Sequence, residues 1–343
     1  MTAVQAPPLP LTSRGEGRGE GWIVKRRSIV TKIVLSIFFI LAVPARADNF
    51  SVWLAQFRQE AARKGIGAQT LAALDGIVPD DKVIRLDQSQ PEHVITFAEY
   101  QKKILSPQRI ARGRELLAAH AALLKRTARA TGVPAKYLVA LWGIESNYGG
   151  IGGNYSVLQS LATLAYEGRR AAFFRGELLS ALRIIDGDHI APDMLRGSWA
   201  GAMGQCQFMP STFLHYAADG DGDGRRDIWS NLPDIFASMG NYLRAEGWRA
   251  GLGWGARVTL SRRIAGKHIG LTKGKSLAAW KKLGVKTGKN SGLSASAIYY
   301  LVQPDNASTP SYLVTANYKA LMRWNRSTYF ATSVGLLADR IAY

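Results

Sequence analysis

Cysteine is nearly absent from this chain: Cys206 is the single one among 343 residues. An internal disulfide and a cysteine-built metal site are therefore both excluded. Cys206 has no histidine within its own motif and reads as a small packing residue, not a nucleophile. Histidine is scarce as well, and His93, His120, His189, His215 and His268 show no metal-ligand spacing. There is no GxSxG, no HExxH, no phosphate loop and no internal repeat, so the common serine-hydrolase, zinc-protease and nucleotide-binding signatures do not apply. Acids are few: 25 Asp and Glu stand against 44 Lys and Arg, a net charge of +19. Such a surface favours a polyanion, either nucleic acid or an acidic cell-wall polymer. Nucleic acid is disfavoured because no nucleic-acid-binding motif accompanies the charge.

Long apolar runs are also lacking. The one candidate, Ile33 to Val43, is short for a membrane span. It follows the basic residues Lys25, Arg26, Arg27 and Lys32 and precedes Ala45-Arg-Ala47, which fits the small-x-small cleavage rule. Residues 25–47 thus read as a secretory signal with a mature start at Asp48. No stable transmembrane segment is expected after cleavage; an uncleaved N-terminal membrane anchor is the alternative. No cysteine follows the run, which argues against lipid attachment there. Residues 1–24 are a disordered extension or reflect a start codon assigned too early. Removing seven Lys and Arg and two Glu with this leader leaves 37 bases and 23 acids, a net +14.

What is present is mostly helical. Trp53, Phe57, Ala61 and Ala62 predict a first amphipathic helix closed by Gly65 and Gly67, and Thr70 to Leu74 a short second one. Residues 79–91 read as an extended linker and 96–105 as a helix or irregular segment. A long helix is expected over 108–131. Further helices are expected over 158–166, 171–186, 210–216 and 233–247. In the 171–186 helix Glu177 is a possible second acid, more simply read as a partner for a backbone amide or an arginine. At Gly251 the composition changes. Residues 256–316 hold short β-like runs (257–260, 299–302, 312–315) and a Lys/Gly-rich stretch, 265–289, before helix returns at 318–342. The expected division is a helical region over 48–250, a small β-containing subdomain over 251–316 and a returning C-terminal helix over 317–343.

Two stretches carry chemistry. In Ala140-Leu-Trp-Gly-Ile-Glu-Ser-Asn-Tyr-Gly149, Leu138, Leu141, Trp142 and Glu145 fall at i, i+3, i+4 and i+7, one face of a helix that Pro134 suits at its start. Glu145 lies near the helix C-terminus, where the dipole disfavours an anion, and among apolar side chains, which disfavour it too. Both push its pKa toward that of a general acid working near neutral pH. The second stretch runs Arg196-Gly-Ser-Trp-Ala-Gly-Ala-Met-Gly-Gln-Cys-Gln-Phe-Met-Pro-Ser-Thr212. Its glycines allow something to approach the backbone closely. Ser198, Gln205 and Gln207 beside Trp199, Phe208 and Met209 offer neutral polar groups next to flat apolar ones, as a sugar requires.

The segments "GIESNYGG", "GELLSAL", "GSWAGAMGQCQFMPSTFLHYAADGDGDGRRDIW" and "NYLRAEGW" resemble, in this order and at similar spacing, the MltB-type lytic murein transglycosylases, over roughly residues 50 to 340. The resemblance implies a mainly α, lysozyme-like helical core with additional helices and a small inserted β-containing subdomain. It implies cleavage of the MurNAc-β-1,4-GlcNAc bond of peptidoglycan by a single catalytic glutamate, Glu145, with formation of 1,6-anhydro ends. The substrate-binding residues it points to are Tyr100, Ser198, Gln205, Gln207, Phe208, Tyr242, Tyr318 and Trp324. No cofactor is required. The partners are peptidoglycan glycan strands, the compartment is the periplasm, and the protein is expected to act as a monomer. A lysozyme-like hydrolase and a non-catalytic wall-binding protein are the alternatives.

Asp219, Asp221, Asp223 and Asp227 stand at positions 1, 3, 5 and 9 of an EF-hand loop, with Gly224 at position 6. Position 12 is Ser230, so the bidentate glutamate is missing and Asp234 is the residue left to close a structural calcium site. Arg225 and Arg226 could instead neutralise the four carboxylates.

Overall fold

The structure is a computed structural model that describes residues 44–89, 95–167, 169–188, 190–289, 291–305 and 310–342. The extension 1–24 and the leader up to residue 43 lie outside the described residues, as do His93 and His189. Among the described residues no helix is long and apolar enough to cross a membrane.

The chain opens with α1 (Pro44–Arg63), whose Phe50, Phe57 and Ala61 are buried, and the short α2 (Ala68–Leu71), continued by a 3-10 turn. The linker expected from residue 79 is instead α3 (Asp81–Gln88). Asp80 caps it by accepting from the Lys82 and Val83 amides, at 2.8 and 3.4 Å, and Val83 and Ile84 are buried. The segment after it is helical: α4 (Phe97–Ile104) starts at a capping box in which Thr96 and Glu99 satisfy each other's amides. The single long helix expected over 108–131 is two, α5 (Pro107–Ala119) and α6 (Ala121–Thr131), divided at His120. The αL residue Gly132 then ends α6.

Next comes α7 (Ala135–Ser146), with Pro134 at its N-cap. Every residue from Tyr137 to Gly143 is buried, so this helix is apolar all round, not on one stripe. Around it lie α8 (Val157–Tyr166), α9 (Ala171–Asp188), α10 (Pro210–Tyr216) and α11 (Leu232–Ala245), with a two-residue antiparallel pair, β1 (Tyr155–Ser156) and β2 (Arg196–Gly197), between them. Glu177 of α9 caps α10: its carboxylate accepts from the Ser211 amide at 2.9 Å and the Ser211 hydroxyl at 2.7 Å. That is a structural role, as its sequence setting suggested.

A five-stranded antiparallel sheet follows, in the order β4-β6-β7-β3-β5. Its strands are β3 (Gly255–Leu260), β4 (Lys275–Ser276), β5 (Val285–Thr287), β6 (Ile298–Val302) and β7 (Ser311–Val314). The Lys/Gly-rich stretch also contains a helix, α12 (Leu277–Lys282), which buries Trp280 completely. One sheet face forms a small core with α12 through Val258, Val285, Tyr299, Leu301 and Leu313. The other presents Tyr312, Val314 and Val302 to the main core. This is the period-two alternation of a sheet covered on both faces. Finally α13 (Ala316–Trp324) and α14 (Thr328–Ile341) return, α14 packing directly on α7. Gly335 of α14 leaves room for the Trp254 ring, which a Cβ there would meet at 2.2 Å. The architecture is thus mainly helical with a small β-containing insertion.

Candidate active site

Glu145 is the penultimate residue of the buried helix α7. The chain then turns sharply: Asn147 and Tyr148 both take left-handed backbone, at φ 50° and 60°. Only one other non-glycine residue among those described does so, Gln207, at φ 51°. All three belong to the two chemistry-bearing stretches, and such conformations persist only where the surroundings over-determine them. Here the ties are visible. The Tyr148 ring folds back over Gly143, where a Cβ would lie 2.6 Å from the ring, and its hydroxyl donates to the Arg109 carbonyl at 2.7 Å. The Ser146 hydroxyl accepts from the Gly149 amide at 3.1 Å. No sequence pattern marks Tyr148 as a brace.

The two stretches are joined by side chains. The Trp142 indole donates to Gln205 Oε1 at 2.7 Å, and Gln205 Nε2 donates to the Trp229 carbonyl at 2.7 Å. Gln205 therefore clamps the loop to α7. Gln207 Nε2 donates to the Gly204 and Gly152 carbonyls, at 2.7 and 3.2 Å, while its Oε1 is buried without a partner in the protein. Ser198 is buried and accepts from the Ala202 amide at 3.0 Å. The glycines of this loop are approached closely, but by the protein itself. A Cβ at Gly197 would meet the Ala202 carbonyl, at Gly201 the Leu161 side chain, and at Gly204 the Ile228 carbonyl. Cys206 is fully buried against the Ile235 carbonyl, and burial pushes its thiol pKa well up, as befits a packing residue.

From the opposite side α13 brings Trp324, whose indole donates to Glu145 Oε1 at 2.6 Å. Its ring is held by Phe208 at 5.2 Å and Tyr242 at 4.7 Å between centroids, and Phe208 and Tyr242 are themselves 5.8 Å apart. Tyr100 stands on α4, half-buried, its ring 5.6 Å from Tyr329; its hydroxyl is pushed to a higher pKa by burial and then by the charge of Glu145. Tyr318 is placed differently from the groove position the resemblance implied. It is fully buried and hydrogen-bonded to Thr332 Oγ1 and the Thr328 carbonyl, at 3.0 and 3.2 Å. It supports α13 from within the core and lines no groove. Its aromatic character cannot by itself separate those two roles.

Glu145 remains partly accessible, yet loss of solvent around its carboxyl raises its pKa to about 8, opposed only by the Trp324 hydrogen bond. Burial is thus the dominant cause. Among the described residues no second carboxylate acts on it. The site holds one acid, protonated at neutral pH, with an indole donor on one oxygen.

The Asp loop holds a smaller cluster than expected. Asp219, Asp221 and Asp223 bring ligand oxygens within 4.8 Å of one another. Asp227 instead caps the following turn, accepting from the Trp229 and Ser230 amides at 2.7 and 2.9 Å and from the Ser230 hydroxyl. Asp234 is buried and accepts from the Gly220 and Asp227 amides, both at 2.7 Å. These two stand outside the converging three, although Asp219, Asp221 and Asp223 also accept from backbone amides of the loop. Three converging carboxylates could chelate a metal.

A helical core that presents one protonatable carboxyl beside tilted, closely packed aromatic rings, with amide side chains on the adjoining loop, is a lysozyme-like, carbohydrate-cleaving framework. Comparisons with known proteins agree. The family described as "Transglycosylase SLT domain" matches residues 49–339. The membrane-bound lytic murein transglycosylase B of Escherichia coli K12 is 31% identical over 248 residues, covering 72% of this chain and 67% of that protein. SltB3 from Pseudomonas aeruginosa, solved in complex with NAG-anhNAM-pentapeptide, superposes with a TM-score of 0.81 at 43% identity, covering 85% of this chain and 79% of that one. Slt35 from Escherichia coli, solved in complex with calcium, gives 0.73 at 29% identity, covering 84% and 92%. The chain belongs to the transglycosylase SLT family, in its MltB/SltB branch.

Proposed function

We propose that this protein is a peptidoglycan lytic transglycosylase, with Glu145 as its only acid/base. It cleaves the MurNAc-β-1,4-GlcNAc bond of glycan strands and leaves 1,6-anhydro-MurNAc ends. The observation that carries the single-acid mechanism is the isolation of Glu145. A two-carboxylate glycosidase needs its pair about 5–9.5 Å apart, flanking the bond. Without that partner, the nucleophile must come from the substrate. Protonated Glu145 gives its proton to the glycosidic oxygen as the C1–O bond to GlcNAc breaks. The resulting carboxylate then takes the proton of the muramyl C6 hydroxyl as that oxygen closes on C1. Atoms balance with no water consumed. The Trp324 indole is donor-only, so it holds Oε1 as an acceptor and leaves Oε2 to carry the mobile proton. Gln207 Oε1 and the Ser198 hydroxyl orient the sugar, and Tyr100, Phe208, Tyr242 and Trp324 shape the groove wall. The leader reading places the protein in the periplasm. Digestion of purified sacculi followed by product masses tests this reading: anhydro ends are lighter by one water than the reducing ends a hydrolase would give.

Trp324→Phe is expected to keep the ring but lose the N–H. With its one stabilising hydrogen bond gone, the Glu145 anion becomes less favourable, and its pKa moves above about 8. The alkaline limb of the pH–rate profile shifts to higher pH, while kcat falls about tenfold as the carboxyl loses its fixed orientation. An unmoved limb would show that the indole does not govern the proton.

The three-carboxylate loop would hold a structural calcium ion through Asp219, Asp221 and Asp223. The donor set is hard oxygen, as calcium prefers, although it lacks a bidentate ligand. Calcium at about 100 times its Kd is expected to stabilise the fold by about 2.7 kcal/mol. Thermal melts should show the shift, and Asp221→Asn with Asp223→Asn should remove it.

A further inference from the structure

Residues 251–316 contain ten Lys and Arg and a single acid, Asp305, which accepts from the Phe97 amide at 2.6 Å. In a chain with 24 acids elsewhere, this subdomain carries +9 of the net +19. Its bases also gather. The Arg262 side chain donates to the Leu283 and Lys282 carbonyls, at 3.0 and 2.7 Å, and the Ser261 amide donates to the Gly284 carbonyl at 2.9 Å. The loop after β3 is therefore fastened to the end of α12 and the start of β5, which pairs with β3 in register from Leu260↔Val285 to Val258↔Thr287. That fastening brings Arg262, Arg263, Lys281 and Lys282 together where β3 ends and β5 begins, while Lys286 stands on the edge strand β5 and Lys289 follows its far end; all six are exposed along this edge. Among the described residues none of the six makes an ion pair.

Local roles explain part of this. Lys281 and Lys282 suit the C-terminal end of α12, and Lys286 protects the edge strand β5 from pairing with another sheet. Neither role requires that the subdomain hold only one acid against ten bases. Self-repulsion among uncompensated bases is a standing cost, offset when an anion binds. We propose that this β5 edge of the subdomain is a second docking surface for the wall, binding the free carboxylates of the peptides that the glycan strands carry. The partner's identity rests on the function proposed above. A membrane surface fits less well, because Ile298 is the one large apolar side chain that this subdomain exposes, and it lies on β6, away from the edge strand β5. A nucleic-acid face would interleave exposed aromatics with the bases, yet Trp280 and Tyr299 are buried.

The test uses the full chain with Glu145→Gln, so that binding is measured without cleavage. Lys281, Lys282, Lys286 and Lys289 are changed together to Gln, and binding to native sacculi is compared with binding to sacculi whose carboxylates have been amidated. The quadruple change should weaken binding to native sacculi about tenfold and flatten its salt dependence. It should have no further effect on amidated sacculi, the non-additivity expected of groups that meet. Amidation alone should weaken the unchanged surface, which keeps the proposal testable even if the quadruple variant folds poorly. Equal binding of both proteins to native sacculi overturns the proposal. So does an effect confined to anionic phospholipid vesicles or to DNA. Product masses from the wild-type enzyme report separately on the catalytic reading.

Discussion

Glu145→Gln will fold and will lose about 10³-fold or more of its murein-cleaving rate, since one side chain both donates and accepts the mobile proton. Glutamine keeps the shape and still accepts from the Trp324 indole, but it has no proton to give. The same substitution carries a second signature in stability. The folded-state pKa of Glu145 is raised from 4.5 to about 8, mainly by burial. The wild-type contribution to stability is therefore fully present below about 4.5 and is lost as pH rises through about 8. Glutamine does not ionise, so the variant escapes that loss. The melting temperature of the variant relative to wild type should rise between pH 5 and pH 9. The wild-type rate should fall over the alkaline part of the same range as the acid form is depleted. A variant that retains cleavage in a clean preparation removes Glu145 from its role. A melting difference that stays flat with pH denies that its carboxyl is held protonated.

The sequence singled out Glu145 on two signals, a row of apolar residues at helical spacing and a glycine run that ends the helix beside the acid; the row belongs to a helix that is buried on every side. It also anticipated the small sheet, since β-branched and aromatic runs survive in Arg257-Val-Thr-Leu260 and Tyr299-Tyr-Leu-Val302. What it hid falls into two kinds. Short helices were obscured by composition: α3 begins Asp81-Lys82 after its Asp80 cap, between prolines, and α12 sits in a lysine- and glycine-rich stretch. In both, burial of two residues (Val83 and Ile84, Leu277 and Trp280) decides the outcome over local propensity. The second kind is long-range pairing. A sequence separation of 179 leaves no local trace of the hydrogen bond between Glu145 and Trp324, and Tyr318 is core while Trp324, two turns on, reaches the acid. An aromatic on an amphipathic helix looks the same in both places.

The glycine-rich loop gives the sharpest structural expectation. Gly204→Ala should destabilise the fold by about 3 kcal/mol, combining left-handed backbone strain with overpacking. Gly204 has φ +58°, and an added Cβ would lie 2.5 Å from the Ile228 carbonyl oxygen and 2.8 Å from its Cγ1. Neither neighbour can yield cheaply, because the same carbonyl accepts from the Gln205 amide at 2.8 Å. Displacing it frees Gln205 from its place beside Trp142, and displacing Gly204 frees Gln207, whose Nε2 rests on the Gly204 carbonyl. Loss of stability and loss of cleavage should therefore appear together, with a melting temperature lower by about 5 °C or more. Gly152→Ala is the matched control. Its carbonyl also holds Gln207, but its backbone is not left-handed and an added Cβ has nothing within 4 Å. It should cost less than about 0.5 kcal/mol. Equal melting temperatures for the two variants would mean that the loop yields freely around Ile228, and the close packing that seats Gln205 and Gln207 beside Glu145 would not be what holds the site in shape.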